Sequence, residues 1–378
     1  MFENIKEIIL VLFLILIILI AIKLKYFHTF QIYWINHNNM KEEFLGGNDK
    51  KNARKKILMD EYNNFQKSKA YLDKLNHLIY NKYKLYEANN ILERWILSSI
   101  NFEKDIPIME QESTKKMIEE FIEKNIVNKE DAHTFVKIIL EQKPRIEKGY
   151  IPYKIYDDGT IKMGNFVKKI SKNRLKLLRR KGSDYDIVRA SLRYAAVISG
   201  GQQWNIPCKV YETLVNNYQF EIEGFASPFN SQIIRFGDDK KFCSLFLDTD
   251  EVFGSVGNFF NYNFVGKRAT INPPYVLSIM EKAIDKVFET INAAKRDQKE
   301  TLLFITVPNW TDTNYYSRLI NNSNKHIRLE KNKYYYENSN KEDEKILAKF
   351  DSSVFIMSYP ENLSSRINEN DILKSFSP

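Results

Sequence analysis

Cysteine is almost absent. Cys208 and Cys243 are the only two in 378 residues, and they form no Cys-x-x-Cys pair. That excludes a zinc ribbon and a disulfide framework, and suits a reducing compartment. His77 and His133 stand alone without a second histidine at ligand spacing, so no metal is expected. A Gly-x-Gly-x-x-Gly loop is missing too. What the chain does carry is positive charge: 57 Lys and Arg against 48 Asp and Glu, a net charge of +9. Such an excess favours an acidic partner, nucleic acid or an anionic membrane surface, unless a Lys- and Asn-rich composition merely spreads it everywhere. Apolar residues make up 43 %, ordinary globular chemistry with ample material for a core.

One long hydrophobic run stands out. "IILVLFLILIILIAI", from Ile8 to Ile22, contains no polar residue. It falls short of the ~20 residues of a spanning helix, and its flanks make up the difference. A cleaved signal peptide is the rival, but the run exits into "KLKYFH" without a small-residue cleavage site. A retained single-pass anchor over 1–28 is therefore expected. Lys23, Lys25, Lys50, Lys51, Arg54, Lys55 and Lys56 follow the run, which places the body in the cytosol by the positive-inside rule.

Residues 29–56 are polar and ragged and read as a stalk. From 57 to 150, apolar residues recur at three- and four-residue steps, as in a helical domain. Tyr62, Phe65, Tyr71, Tyr80 and Trp95 fall at that spacing and read as core. "GYIPYKIYDDGTIKMGNF" carries Asp-Gly between alternating runs, a hairpin and a boundary. "VKKISKNRLKLLRRK" follows, the densest basic stretch. It reads either as a solvated helix face or as a phosphate-contacting helix presenting Lys176, Arg179 and Arg180. Then short apolar segments alternate with helices: "FEIEGFASPFN", "KFCSLFL", "ATINPPY", "TLLFITVPNW" and "SSVFIMSYP". That alternation predicts an α/β fold with a parallel, doubly wound sheet.

Ligands bind such sheets at the carboxyl ends of the strands, where Asn272, Pro273, Pro274 and Tyr275 stand. Two prolines fix the backbone and remove two amide donors. The Asn272 side-chain oxygen and the Pro273 carbonyl can then accept both hydrogens of an exocyclic amine while Tyr275 stacks on its base. That aims the amine lone pair at a methyl donor, and the catalysis is positioning. The alternative is a rigid strand-to-helix turn. Lys267 and Arg268, just ahead of the turn, are expected to extend a positive path to it.

Asn/Asp-Pro-Pro-Tyr/Phe is also the signature of amino-methyltransferases. With "LRYAAVISGGQQWNIP", "FEIEGFASPFN", "FCSLFLDTDEVFGSVGNFF", "ATINPPY" and "FITVPNW" in this order, residues 165–360 resemble the phosphorylated-CTD-interacting factor family. Its members are cap-specific adenosine N6-methyltransferases. The resemblance implies a Rossmann-like methyltransferase domain over 151–360, followed by a C-terminal tail at 361–378. It also implies an S-adenosyl-L-methionine pocket built by Ala226, Ser227, Pro228, Asn230, Asp248, Asp250 and Gly254 beside the turn. This methyltransferase type does not depend on Gly-x-Gly-x-x-Gly. The two aspartates read equally as a helix N-cap and a surface turn.

The chain departs from the family in places. Well-studied animal members carry an N-terminal WW module that reads a phosphorylated polymerase tail; here an apolar anchor stands in that region, and no paired-tryptophan pattern appears. Cap-binding residues are not carried over. The expected function is RNA adenine N6-methylation at the cap-proximal nucleotide of mRNA. The alternatives are an amino-methyltransferase on internal RNA, DNA or a protein amide, or an inactive membrane-tethered RNA-binding relative.

Overall fold

The computed structural model describes residues 47–80, 119, 122–123, 130, 147–197, 204–338, 341 and 344–377. The expected anchor, 1–28, and much of the expected helical domain, 57–150, lie outside them. Among the described residues no helix is long and apolar enough to cross a membrane. The chain divides into two units, Met1–Leu58 and Met59–Pro378.

The first described element is helix α1, Gly47–Tyr80. It begins inside the stretch read as a stalk. No proline interrupts it, and Lys, Arg, Ala, Leu and Met are good helix formers. Tyr62 and Phe65 are buried as core, as their spacing predicts. The Phe65 ring meets Phe166 edge-on at 5.0 Å, and the Tyr62 hydroxyl donates to Asn165 Oδ1 at 2.9 Å.

Strands β1 (Tyr153–Ile155), β2 (Thr160–Met163) and β3 (Phe166–Lys169) form an antiparallel meander. The Asp-Gly hairpin is its first turn. Gly159 sits at φ 86°, and a Cβ there would collide with the Ile170 carbonyl at 2.0 Å. Helices α2 (Lys172–Lys181) and α3 (Asp184–Val197) follow. Ser171 caps α2 by accepting from the Arg174 amide at 3.2 Å.

The remainder runs β4 (Trp204–Asn205), α4 (Cys208–Tyr218), β5 (Ile222–Glu223), β6 (Lys241–Phe242), α5 (Leu247–Asp250), β7 (Arg268–Ile271), α6 (Leu277–Arg296) and β8 (Thr301–Pro308). It continues with α7 (Asn314–Asn322), β9 (Lys325–Leu329), β10 (Tyr335–Asn338), β11 (Lys345–Leu347), β12 (Ser352–Tyr359), α8 (Asn362–Ser365) and α9 (Glu369–Phe376). The main sheet has the order β6-β5-β7-β8-β12-β9, and β4, β10 and β11 make a small second sheet.

The sheet is mixed rather than all-parallel. Strands β6, β5, β7 and β8 pair in parallel, whereas β12 runs antiparallel to both β8 and β9. The hairpin β10–β11 lies between β9 and β12 in sequence, and antiparallel neighbours need no crossover helix. This mixed α/β sheet is compatible with a methyltransferase fold.

Every residue of β8 is buried, the signature of a strand covered on both faces. Helix α6 lays Met280, Ala283, Ile284 and Val287 on one side of the sheet. Residues 361–378, read as a tail, include α9, which packs on α4 and β9 with Ile372 and Phe376 fully buried.

Candidate active site at the carboxyl edge of the sheet

Strand β7 lies between β5 and β8, and all three run in parallel, so their carboxyl ends share one edge. The chain leaving β5 stays close to β7, with the Gly224 amide donating to the Thr270 carbonyl at 2.7 Å. A Cβ at Gly224 would stand 2.9 Å from that carbonyl and 3.1 Å from the Phe259 ring. Sequence reading missed this glycine, since nothing in the pattern marks a close approach.

Asn272 to Tyr275 link β7 directly to α6. The Pro274 carbonyl accepts from the Val276 amide at 2.7 Å, and Val276 opens the helix by accepting from Ile279 and Met280. The Pro273 carbonyl accepts from no donor among the described residues. Asn272 Oδ1 is buried without a hydrogen-bond partner. A buried acceptor left empty is destabilising by roughly 1–3 kcal/mol unless a ligand or water fills it. The turn therefore offers two acceptors, one of them already withdrawn from solvent.

The Tyr275 ring is wedged edge-on against Tyr336 at 6.5 Å and Phe350 at 6.0 Å. Its hydroxyl lies 2.6 Å from that of Tyr336, and burial raises its pKa far above the usual range. Tyr336 in turn stacks on Phe350 at 6.1 Å and on Trp204 at 6.2 Å. Trp204 is 45 % exposed. The small sheet thus delivers an aromatic ladder to the turn. Its sequence signal is the run Tyr334-Tyr335-Tyr336, which periodicity alone does not connect to Tyr275.

The residues assigned to a cofactor fall into two groups. Ala226, Ser227, Pro228 and Asn230 form the loop after β5, at the same edge as Asn272. Asn230 Oδ1 accepts from the Ser227 amide at 2.6 Å and the Ser227 hydroxyl at 3.0 Å, which fixes the loop's shape. Asp248 and Asp250 are instead held by the protein. The Asp248 carboxylate takes Arg189 Nη2 at 2.6 Å and Arg193 Nη2 at 3.2 Å. Asp250 is fully buried and accepts from Tyr194 at 2.6 Å and Thr249 at 2.9 Å. Burial pushes its carboxyl up to about 7. Gly254, at φ 105°, lets the chain turn so that Ser255 bridges to Phe242, the last residue of β6.

The basic residues also divide. Lys176 and Arg180 are exposed on α2, while Arg179 makes a bidentate pair with Asp184 at 2.8 and 3.0 Å. Lys267 and Arg268 stand at the amino end of β7, the end remote from Asn272. Arg268 donates to the Tyr218 carbonyl at 2.9 Å, and Lys267 lies 3.5 Å from Glu221. The expected positive path from them to the turn is thus corrected: a strand separates the two ends, and both cations face other partners.

A second buried network supports the edge. Glu223, at the end of β5, accepts from Tyr211 and Ser231 hydroxyls at 2.7 Å each and from the Gln232 amide at 2.9 Å. Burial raises its carboxyl pKa, and these donors oppose that rise. Arg174 reaches the Ser231 carbonyl at 2.5 Å from α2. Burial lowers the Arg174 pKa to about 9. Among the described residues, no group of three or more His, Cys, Asp or Glu could hold a metal ion.

The sequence has relatives among known proteins. An mRNA (2'-O-methyladenosine-N(6)-)-methyltransferase of Mus musculus is 30 % identical over 112 residues, 30 % of this chain and 15 % of that protein. The protein of the same description from Homo sapiens is 29 % identical over 112 residues, with the same shares. The matched segment is thus a small part of these relatives' length. The family model described as the phosphorylated CTD interacting factor 1 WW domain matches residues 180–358, which here fold as the α/β sheet. Over that segment, which contains the Asn272–Tyr275 turn, the chain is similar to the phosphorylated CTD interacting factor 1 family.

Proposed function

We propose that this protein is an S-adenosyl-L-methionine-dependent adenine N6-methyltransferase acting on RNA, at the cap-proximal 2'-O-methyladenosine of mRNA. The observation that carries the reading is the buried, unpartnered Asn272 Oδ1 at the carboxyl end of β7. Beside it, the Pro273 carbonyl is free of donors among the described residues. An exocyclic amine has two hydrogens, and these two oxygens accept one each. Its lone pair then projects away from the turn. No general base is required, because the amine sheds its extra proton to water after it is alkylated. Orientation by these two acceptors is the main catalytic contribution.

The residues present suit the cofactor, on two observations: the orphaned acceptor and the loop from Ala226 to Asn230 after the neighbouring strand β5. When bound, S-adenosyl-L-methionine supplies an electrophilic methyl group. Ala226, Ser227, Pro228 and Asn230 would hold it. Asp248 and Asp250 would act through packing, since protein donors occupy their carboxylates. The names of the two mammalian relatives support a 2'-O-methyladenosine of mRNA as the substrate.

We further propose that residues 1–28 anchor the body to a membrane with the catalytic part in the cytosol, a reading supported by the apolar run Ile8–Ile22. Protease added to sealed vesicles with the cytosolic side outward should digest the body, and full protection would refute that topology. The function itself is tested by methyl transfer to capped and uncapped oligonucleotides of equal sequence. Methylation of the capped adenosine alone is the expected result. Equal transfer to both would favour internal RNA, and no binding of S-adenosylhomocysteine would make the chain an inactive relative.

A further inference from the structure

Two arginines on α3 stand between a carboxylate on α1 and a carboxylate on α5. Arg193 Nε donates to Glu61 Oε2 at 2.8 Å, and Arg189 Nε lies 3.4 Å from Glu61 Oε1. On the other side, Arg189 grips both the Asp248 carbonyl at 3.0 Å and its carboxylate at 2.6 Å. Arg193 reaches Asp248 Oδ1 at 3.3 Å. Two cations thus meet two anions, and Glu61 and Arg193 are both buried. Taking away one carboxylate leaves an uncompensated buried charge that must pull on the other. The position of Asp248 is therefore set partly from α1.

The segment that carries Asp248 leads to the loop after β5. The Arg193 guanidinium stands 5.2 Å from the centre of the Phe246 ring. The neighbouring Tyr194 ring meets Phe246 edge-on at 5.2 Å and Phe229 at 5.9 Å. Phe229 belongs to the loop Ala226–Asn230. At the start of that loop the Ala226 amide donates to the Cys243 carbonyl at 3.0 Å, three residues before Phe246. Helix α3 holds the loop and the segment 246–250 together, and Glu61 holds α3.

A second path leaves the same turn of α1. The Tyr62 hydroxyl, which donates to Asn165 Oδ1, also accepts from the Asn165 amide at 3.3 Å. Gln66 Nε2 donates to Asn165 Oδ1 at 2.7 Å. A Cβ on Gly164 would stand 2.4 Å from the Tyr62 oxygen, so the β2–β3 turn lies directly on the helix. Strand β3 then carries Lys168 to the loop, with its ammonium 3.7 Å from the centre of the Phe229 ring. Both paths end on Phe229, which is buried. Residues 61–66 lie outside the matched segment 180–358, yet they belong to the same unit as the sheet.

We propose that Glu61 is a positioning residue for the cofactor site. Through Arg189 and Arg193 it fixes the loop that would hold S-adenosyl-L-methionine, and Tyr62 braces the same loop through β3. The cofactor's part in this rests on the function proposed above; the bracing of the loop does not.

Hydrogen–deuterium exchange and cofactor binding, both on the full chain, separate the two statements. Glu61→Gln keeps the shape of the side chain and removes its charge. Peptides covering 226–231 and 246–250 should exchange about fivefold faster in it, while α9, packed on α4 and β9, keeps its wild-type rate. Tyr62→Phe loses one hydroxyl and keeps its ring, and should speed exchange at 226–231 without changing 246–250. Acceleration at 226–231 in neither folded variant overturns the proposal. So does equal acceleration in α9, which would mark a general loss of stability. The affinity of Glu61→Gln for S-adenosylhomocysteine should fall about fivefold, with the KM for RNA unchanged. Faster local exchange with unaltered affinity overturns the positioning role and leaves the function standing. A wild-type chain that binds no S-adenosylhomocysteine sinks the function, and the exchange rates alone then uphold or overturn the brace.

Discussion

The hydroxyl of Tyr275 lies 2.6 Å from the hydroxyl of Tyr336, and Tyr336 lies 3.3 Å from Ser352 Oγ. The last residue of the turn is therefore tied into the sheet through its oxygen as well as its ring. Tyr275→Phe deletes one hydrogen bond and leaves Tyr336 with Ser352. The expected loss is about 1 kcal/mol of stability in urea unfolding, with methyl transfer near the wild-type rate. Tyr275→Ala should also lose base stacking of about 1–3 kcal/mol, read as a rise in KM for RNA. A collapse of kcat in the phenylalanine variant would give the oxygen, not the ring, the chemical role.

Asn272→Ala removes the orphaned acceptor. Methyl transfer should fall by about 2–4 kcal/mol in kcat/KM, the size of losing one well-placed polar contact in a transition state. Binding of S-adenosylhomocysteine and the melting temperature should hold, because no protein donor depends on that oxygen. Near-normal turnover would leave the turn as nothing more than a strand-to-helix connection.

Helix α1 is held to α3 by a buried ion pair. Arg193 Nε donates to Glu61 Oε2 at 2.8 Å, and both side chains are 5 % exposed. Breaking such a pair typically costs about 3–5 kcal/mol, since a buried charge loses its partner. Glu61→Ala should fall at the low end of that range, because Asp248 still accepts from Arg193 at 3.2 Å. Chemical denaturation measures it, and a change within error would demote the pair to a packing contact.

Much of this architecture was legible beforehand, for identifiable reasons. The five apolar segments after Phe220 all contain strands of the main sheet, because burial on both faces produces continuous runs. The Asn-Pro-Pro-Tyr turn was legible because two prolines admit few backbone paths. Strands β9 to β11 were not: mixed polar and aromatic residues over three to five positions give no clear period. Asp248 and Asp250 illustrate a different limit. Their spacing could not reveal Arg189, Arg193 and Tyr194, which arrive from α3 more than fifty residues away. Lys267 and Arg268 misled because adjacency in sequence is distance along a strand. At about 3.3 Å per residue, the four residues of β7 carry them to the far edge.

Asp250 should leave a mark on the pH dependence of stability. Burial raises its carboxyl from 3.8 to about 7 in the folded chain. The folded state then binds the proton more tightly than the unfolded one. Its contribution to stability is complete below pH 3.8 and is lost as pH rises through about 7. Half-buried Lys168, which burial lowers from 10.5 to about 7, acts in the opposite sense above that range. Asp250→Asn removes the first effect and, because the Asp250 charge supports the Lys168 ammonium, lowers the Lys168 pKa further. The melting temperature of the variant relative to wild type should therefore increase between pH 5 and pH 8. A difference that stays constant with pH would show that Asp250 keeps its charge on folding.

The basic helix α2 yields the sharpest test of RNA contact. Arg174, Leu175, Leu177 and Leu178 are its buried residues, so the helix docks through one face. Lys172, Lys176 and Arg180 recur every fourth residue and form one exposed stripe, bordering a shallow cleft of about 380 Å³. Arg179 is committed to Asp184 and Lys181 to Asp238 at 2.7 Å, so neither is free to leave for a phosphate without breaking an ion pair. The stripe, not the whole basic run, is thus the surface a strand would meet. Each phosphate contact on a single strand contributes about 0.7 to the slope of log affinity against log salt. Reversing both Lys176 and Arg180 to Glu should lower that slope by about 1.4 and weaken all RNA sequences alike. Reversing Arg179 should instead destabilise the turn into α3 and change the slope little. Turnover at saturating RNA should be unaffected in each case, because α2 carries none of the acceptors at the Asn272 turn. An unaltered slope in the double variant would make the stripe a solvated helix face.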